Sequence, residues 1–155
     1  DMVGATPEIV REAKYLRATS LIKLSRETEA MSDLKELALN TKSEEGAEAK
    51  YQIAQIYFDQ KDYSSAEKEI FSYIENGTPH QYWLARSFVL LADIYHMQGD
   101  DFQARQYLES LQENYNGEDD IDEMIEERFE QWQAQGSSSL PDDSISVETE
   151  IITEN

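Results

Sequence analysis

The chain has 155 residues, 33 acidic against 13 basic side chains for a net charge of −20, and no cysteine. That length suits one domain, and the missing thiols exclude a disulfide framework or a thiolate metal site. The charge disfavours phosphate backbones and anionic lipid as partners, so neither nucleic acid nor a membrane surface is expected.

No apolar run approaches the roughly 18 residues of a membrane span, and the first residues lack the charged-then-apolar pattern of an export signal. Because a helix begins almost at Asp1, a processed protein or a fragment of a longer one is expected.

Thr6-Pro7 supplies an N-cap and a first-turn proline, and Ile9, Ala13, Leu16 and Leu24 follow at mostly helical spacing. A helix is predicted over Pro7–Leu24. After a turn at Ser25-Arg26, the apolar positions Ala30, Leu34, Leu37 and Ala38 predict an antiparallel partner ending near Asn40. The next helix is expected from Glu45 to Gln60, turning at Lys61-Asp62 into another from Tyr63 to Asn76. Gly77 reads as a left-handed cap, and Thr78-Pro79 as a second start of the Thr6-Pro7 kind. That helix is predicted to reach Gln98, with Gly99 ending it and a partner over Asp101–Tyr115. A seventh helix, Asp120–Ala134, begins among acids and gathers Ile121, Met124, Ile125, Phe129 and Trp132 on one face, as a cap on the stack would. From Gly136 to Asn155 there are five acids, no Lys or Arg and no helical period, which predicts a flexible acidic tail. Within it, Ile145, Val147, Thr149 and Ile151 alternate as a strand would when added to a partner's sheet edge.

Residues 118–155 hold 13 of the 33 acids and one basic side chain, Arg128. Charge therefore favours a basic protein partner; the plainer reading is that it only keeps the chain soluble. Catalytic patterns are absent: there is no glycine-rich phosphate loop and no Gly-x-Ser-x-Gly elbow. His80 and His96, on one helix, would stand roughly 24 Å apart, too far to share a metal or a base role. Asp59 and Asp93 are the one conceivable carboxylate pair, and nothing in their surroundings predicts raised acidity. No catalytic residue, cofactor or metal is expected. Asn76-Gly77-Thr78 and Asp143-Ser144-Ile145 fit short glycosylation triplets.

Residues 47–66 and 85–104 repeat one another, with small, aromatic and turn residues at matching offsets. Ile53, Ala54, Tyr57, Ala66 and Ile70 in one copy, and Leu91, Ala92, Tyr95, Gly99, Ala104 and Leu108 in the other, fall on the pattern of the tetratricopeptide repeat (TPR), which the chain resembles. A first copy keeps Ala18, Leu21, Ala30 and Leu34 but has Arg17 at an apolar position. Spacings of 36 from Ala30 to Ala66 and 38 from Ala66 to Ala104 imply inserted residues, the second set at Pro79–Tyr82.

The resemblance implies an all-α, right-handed α-solenoid of three helix pairs, about 7–40, 45–77 and 78–116, with a capping helix over 119–134. The domain then spans 1–135 and the tail 136–155. It also implies a non-catalytic module that binds a peptide or helix of a partner in a concave groove lined by the first helix of each pair. Register places Glu12, Tyr15, Thr19, Ile22 and Lys23 there, then Tyr51, Gln55, Phe58 and Asp59, then Arg86, Val89, Asp93, His96 and Met97. The plainer reading is that Tyr15, Tyr51 and Phe58 pack on the neighbouring repeat. A clamp for chaperone tails is not expected, since of Tyr15, Thr19, Gln52, Arg86 and Leu90 only Arg86 suits one. The wording of 77–87 and 98–104 is similar to long bacterial cell-envelope TPR proteins, which implies a periplasmic or envelope setting and a position among the last repeats of a longer solenoid. A structural spacer or self-assembly element is the alternative function. The sequence leaves the partner's identity and the oligomeric state open.

Overall fold

A computed structural model describes residues 4–139, all of whose regular structure is helical. The helices are α1 (Pro7–Lys23), α2 (Glu27–Leu37), α3 (Glu44–Asp59), α4 (Tyr63–Asn76), α5 (Gln81–Met97), α6 (Asp101–Asn114) and α7 (Ile121–Ser139). They stack as α1–α2, α3–α4 and α5–α6 with α7 last, a TPR-like α-solenoid in which helices pack only within a pair or on the adjoining one. Three apolar clusters fill the joints: one between the first two pairs, one between the second and third, one between the third and α7.

The first helix of every pair ends in the same turn. Ser25, Lys61 and Gly99 take positive φ of 58°, 63° and 86°. Their amides donate to Ile22, Phe58 and His96, and the next amides reach back to Leu21, Tyr57 and Tyr95. This is the Schellman arrangement, repeated three times. Asp62 and Asp100 then cap α4 and α6 through the Ser65 and Gln103 amides at 3.1 Å, whereas Arg26 gives α2 no side-chain cap. Ala18, Ala30, Ala54, Ala66, Ala92 and Ala104 are buried where paired helices cross, because a larger side chain would hold the axes apart.

Arg17, the odd residue of the first copy, extends into solvent and grips buried Asp33 of α2 through two hydrogen bonds of 2.6 Å. Those bonds hold the Asp33 carboxyl below the usual range, against burial, which raises it.

Three expectations are corrected. Thr78-Pro79 does not open a helix: α5 begins at Gln81, and the Thr78 hydroxyl donates to the Thr41 carbonyl at 2.6 Å while that of Thr41 donates to the Gly77 carbonyl at 2.7 Å. This reciprocal clasp ties the α2–α3 link to the α4–α5 link, while the Thr78 oxygen still accepts from the His80 amide at 3.1 Å in a turn ahead of α5. Gly77 has φ 73° and ψ 168°, a region open almost only to glycine and distinct from the left-handed helical one. Finally, α7 passes Ala134 and runs through Gly136 to Ser139, the first residues assigned to the tail. The strand-like alternation and the triplet at Asp143 lie outside the described residues.

Gly46 was not singled out by any pattern. It sits early in α3 against the end of α2, where a Cβ would come within 2.6 Å of the Leu37 carbonyl oxygen and closer still to that of Asn40.

Candidate functional site

The sequence places Tyr51, Gln55 and Asp59 one turn apart on α3, and Tyr82 and Arg86 one turn apart on α5. Packing α3 beside α5 joins them into one chain of hydrogen bonds. Arg86 Nη2 donates to the Tyr51 hydroxyl at 2.9 Å, Tyr51 donates to Gln55 Oε1 at 2.8 Å, and Gln55 Nε2 donates to Asp59 Oδ1 at 2.9 Å. On the other side Arg86 Nη1 donates to Tyr82, whose hydroxyl donates to Asp120 at 2.9 Å. The guanidinium also lies 4.7 Å from the Tyr51 ring centre and 5.8 Å from those of Tyr82 and Trp83. Burial raises the Tyr51 phenol above its ordinary value although Arg86 pulls it down, so the hydroxyl is a neutral donor.

The third wall comes from α7. Arg128 inserts beside α5 and holds Asp93 with bonds of 3.1 Å from Nε and 3.0 Å from Nη2. Burial nevertheless raises the Asp93 carboxyl, the Arg128 charge opposing it only in part. One turn on, His96 stacks on Trp132 with centroids 4.5 Å apart, its ring nitrogens facing Asp101 Oδ1 at 2.6 Å and Gln135 Oε1 at 2.9 Å.

Two adjoining pockets result. One of about 270 Å³ is lined by Tyr51, Gln55, Arg86, Asp93, Glu127 and Arg128 above Val89, Leu90 and Met124. The other, about 330 Å³, is lined by Phe58, His96, Met97, Gln131, Trp132 and Gln135 and shares Asp93 and Arg128.

The second- and third-pair residues expected on the groove are thus brought together, with differing exposure. Tyr51 and Val89 are 4% and 2% exposed, so they form its floor. Phe58 is half-buried against Tyr63. The first-pair residues stand apart from both pockets. Tyr15 donates to Glu48 at 2.6 Å, Thr19 turns back to the Tyr15 carbonyl, Ile22 packs on the first cluster, and Glu12 and Lys23 face solvent. Asp59 and Asp93 are held by Gln55 and Arg128 respectively. His80 faces the Lys42 carbonyl at 2.9 Å, away from the groove.

The contribution of α7 went unread in the sequence. Its signal was present: Arg128 is the one basic side chain of the acidic quarter and lies four residues from both Met124 and Trp132, within the apolar face. Among the described residues no three His, Asp or Glu side chains gather as a metal site would need, and no helix is long and apolar enough to cross a membrane.

A tetratricopeptide repeat profile matches residues 81–115, the α5–α6 pair and its closing turn. No curated protein and no solved structure matches the chain. TPR units mediate protein–protein contact and are as a rule non-catalytic, and the similarity carries that much to the matched pair.

Proposed function

We propose that the inner face of α3, α5 and α7 takes up a short peptide or helix of another protein and performs no chemistry on it. The observation behind this reading is the pair of pockets joined at Asp93 and Arg128. Their lining mixes both charges, an amide, a phenol, the exposed Met97 and the half-buried ring of Trp132, which suits apolar anchors with a polar rim. Glu12, Tyr15, Thr19 and Ile22 of α1 would extend the contact for a longer segment. The net charge of −20 favours a basic partner over nucleic acid, and the wording of residues 77–87 favours a bacterial cell-envelope setting.

The test is affinity capture from native extract with the wild type and a Gln55→Arg/Met97→Glu variant matched in helicity and melting temperature. Loss of a retained protein by about tenfold in the variant supports the groove; equal recovery contradicts it. Steering by charge further predicts an association rate that falls from low to high salt, and a rate indifferent to salt would remove that part.

A further inference from the structure

Ile9, Ala13, Leu16 and Ser20 recur every three or four residues along α1 and all face solvent, Ile9 at 52% and Leu16 at 57% exposure. The three matching turns set the register between helices. Ala13 corresponds to Ala49 of α3 and Ser87 of α5, both buried, and Leu16 to Leu90 of α5, also buried. This flank is therefore one that the inner helices bury against a preceding pair. Yet Arg17 and Ser20 stand where α3 has Ile53 and Ile56, and α5 has Leu91 and Ile94. Another pair of the same kind would meet a guanidinium and a hydroxyl in place of two large apolar groups, so the stripe fits a shallower contact.

We propose that α1 packs on α1 of a second copy, the two helices parallel about a two-fold axis. Ile9 and Leu16 then meet their own counterparts, and the small Ala13 layer between them and Ser20 layer beyond Leu16 let the helices approach. Glu12 and Arg17 flank the stripe on opposite sides, five residues apart, the offset at which a side chain meets its opposite charge on a parallel partner. Glu12 is exposed and has no ion-pair partner among the described residues. Arg17 is 66% exposed and engages Asp33 through Nε and Nη2, leaving Nη1 for the partner's Glu12.

Charge also selects this end. α1, α2 and the turn between them, which adds Arg26, carry six acidic and six basic side chains, whereas α7 sets Asp122, Glu123, Glu126, Glu127 and Glu130 against Arg128 alone. Pairing at the balanced end keeps the acidic ends apart. One helix face per copy buries less than about 1,200 Å², so the dimer is weak and reversible.

Sedimentation velocity on the full chain, from roughly 5 to 500 µM, tests this and should show a concentration-dependent monomer–dimer equilibrium. Leu16→Glu, at an exposed position, should weaken it by about tenfold or more with helicity and melting unchanged. Glu12→Lys should weaken it about threefold, and more at low salt. A chain that stays monomeric overturns the proposal and leaves the stripe to a further helix pair or another protein. A dimer that Leu16→Glu leaves intact overturns it as well and moves the contact to another face.

Discussion

The first and third helix pairs are built on one plan and differ in what stands beside them. α5 is covered by α3 and α4 on one flank and by α7 on the other, while among the described residues α1 has neighbours on one flank only. Position for position, Leu91 and Ile94 of α5 are buried where α1 carries Arg17 and Ser20. Each pair also holds an Asp by an Arg, Asp33 by Arg17 of the same pair and Asp93 by Arg128 of α7, with opposite electrostatic outcomes: hydrogen bonds lower the Asp33 carboxyl, and burial raises that of Asp93. Neighbours, more than helix register, decide which repeat positions must be apolar and what a buried charge costs. The pair that the TPR profile matches is enclosed on both flanks, as the second pair also is, and is the one closed by glycine at its turn.

The joint that fastens the first pair to the rest is where that comparison breaks most sharply. Gly46→Ala should destabilise the chain by about 3 kcal/mol in urea unfolding, since a methyl there meets the Leu37 and Asn40 carbonyls. Helix propensity alone predicts a gain of about 1 kcal/mol, so the sign decides whether the close approach is real. At the other end, Arg128→Ala leaves Asp93 half-buried without its partner and should cost about 2 kcal/mol. In a Trp83→Phe background the emission of Trp132 should shift to the red as α7 loosens; an unchanged spectrum would mean α7 is held elsewhere.

The shared turn offers a finer contrast. Gly99→Ala should cost about 1 kcal/mol and Lys61→Gly should gain a similar or smaller amount, because both positions hold positive φ. Equal signs in thermal melts would contradict the common geometry.

The smallest effects concern acid, each under about 1 kcal/mol after solvent screening. Asp33 has a lowered folded value, so its contribution is present above the ordinary carboxylate value near 3.9 and is lost as pH falls through the lowered one. Asp93 has a raised value, so stability should fall as pH climbs from about 3.9 through that value. Relative to wild type, Asp33→Asn and Asp93→Asn should therefore show stability differences of opposite slope with pH.

Much of this architecture was legible in the sequence because it is local. The six alanines, the turns at Ser25, Lys61 and Gly99 and the apolar face of α7 are set by residues a few positions apart. What escaped is set by contacts across the chain. Thr78 reads as the start of a helix, and nothing nearby shows that its hydroxyl donates to Thr41, 37 residues earlier, in a link that precedes α5. Gly46 matters only because the end of α2 lies against it. The groove shows the same division: register placed Tyr51, Gln55, Arg86 and Asp93 on inner helix faces, but the depth of Tyr51 and Val89 and the insertion of Arg128 follow from how α3, α5 and α7 meet.

The claim that the inner face of α3, α5 and α7 is the binding surface can be tested with a photo-crosslinking side chain at Gln55, which lines the pocket, and at Gln106, which lies on α6 away from it. In native extract, position 55 should yield a discrete protein adduct that position 106 does not. Adducts from 106 alone, or equal adducts from both, would contradict a groove-bound partner.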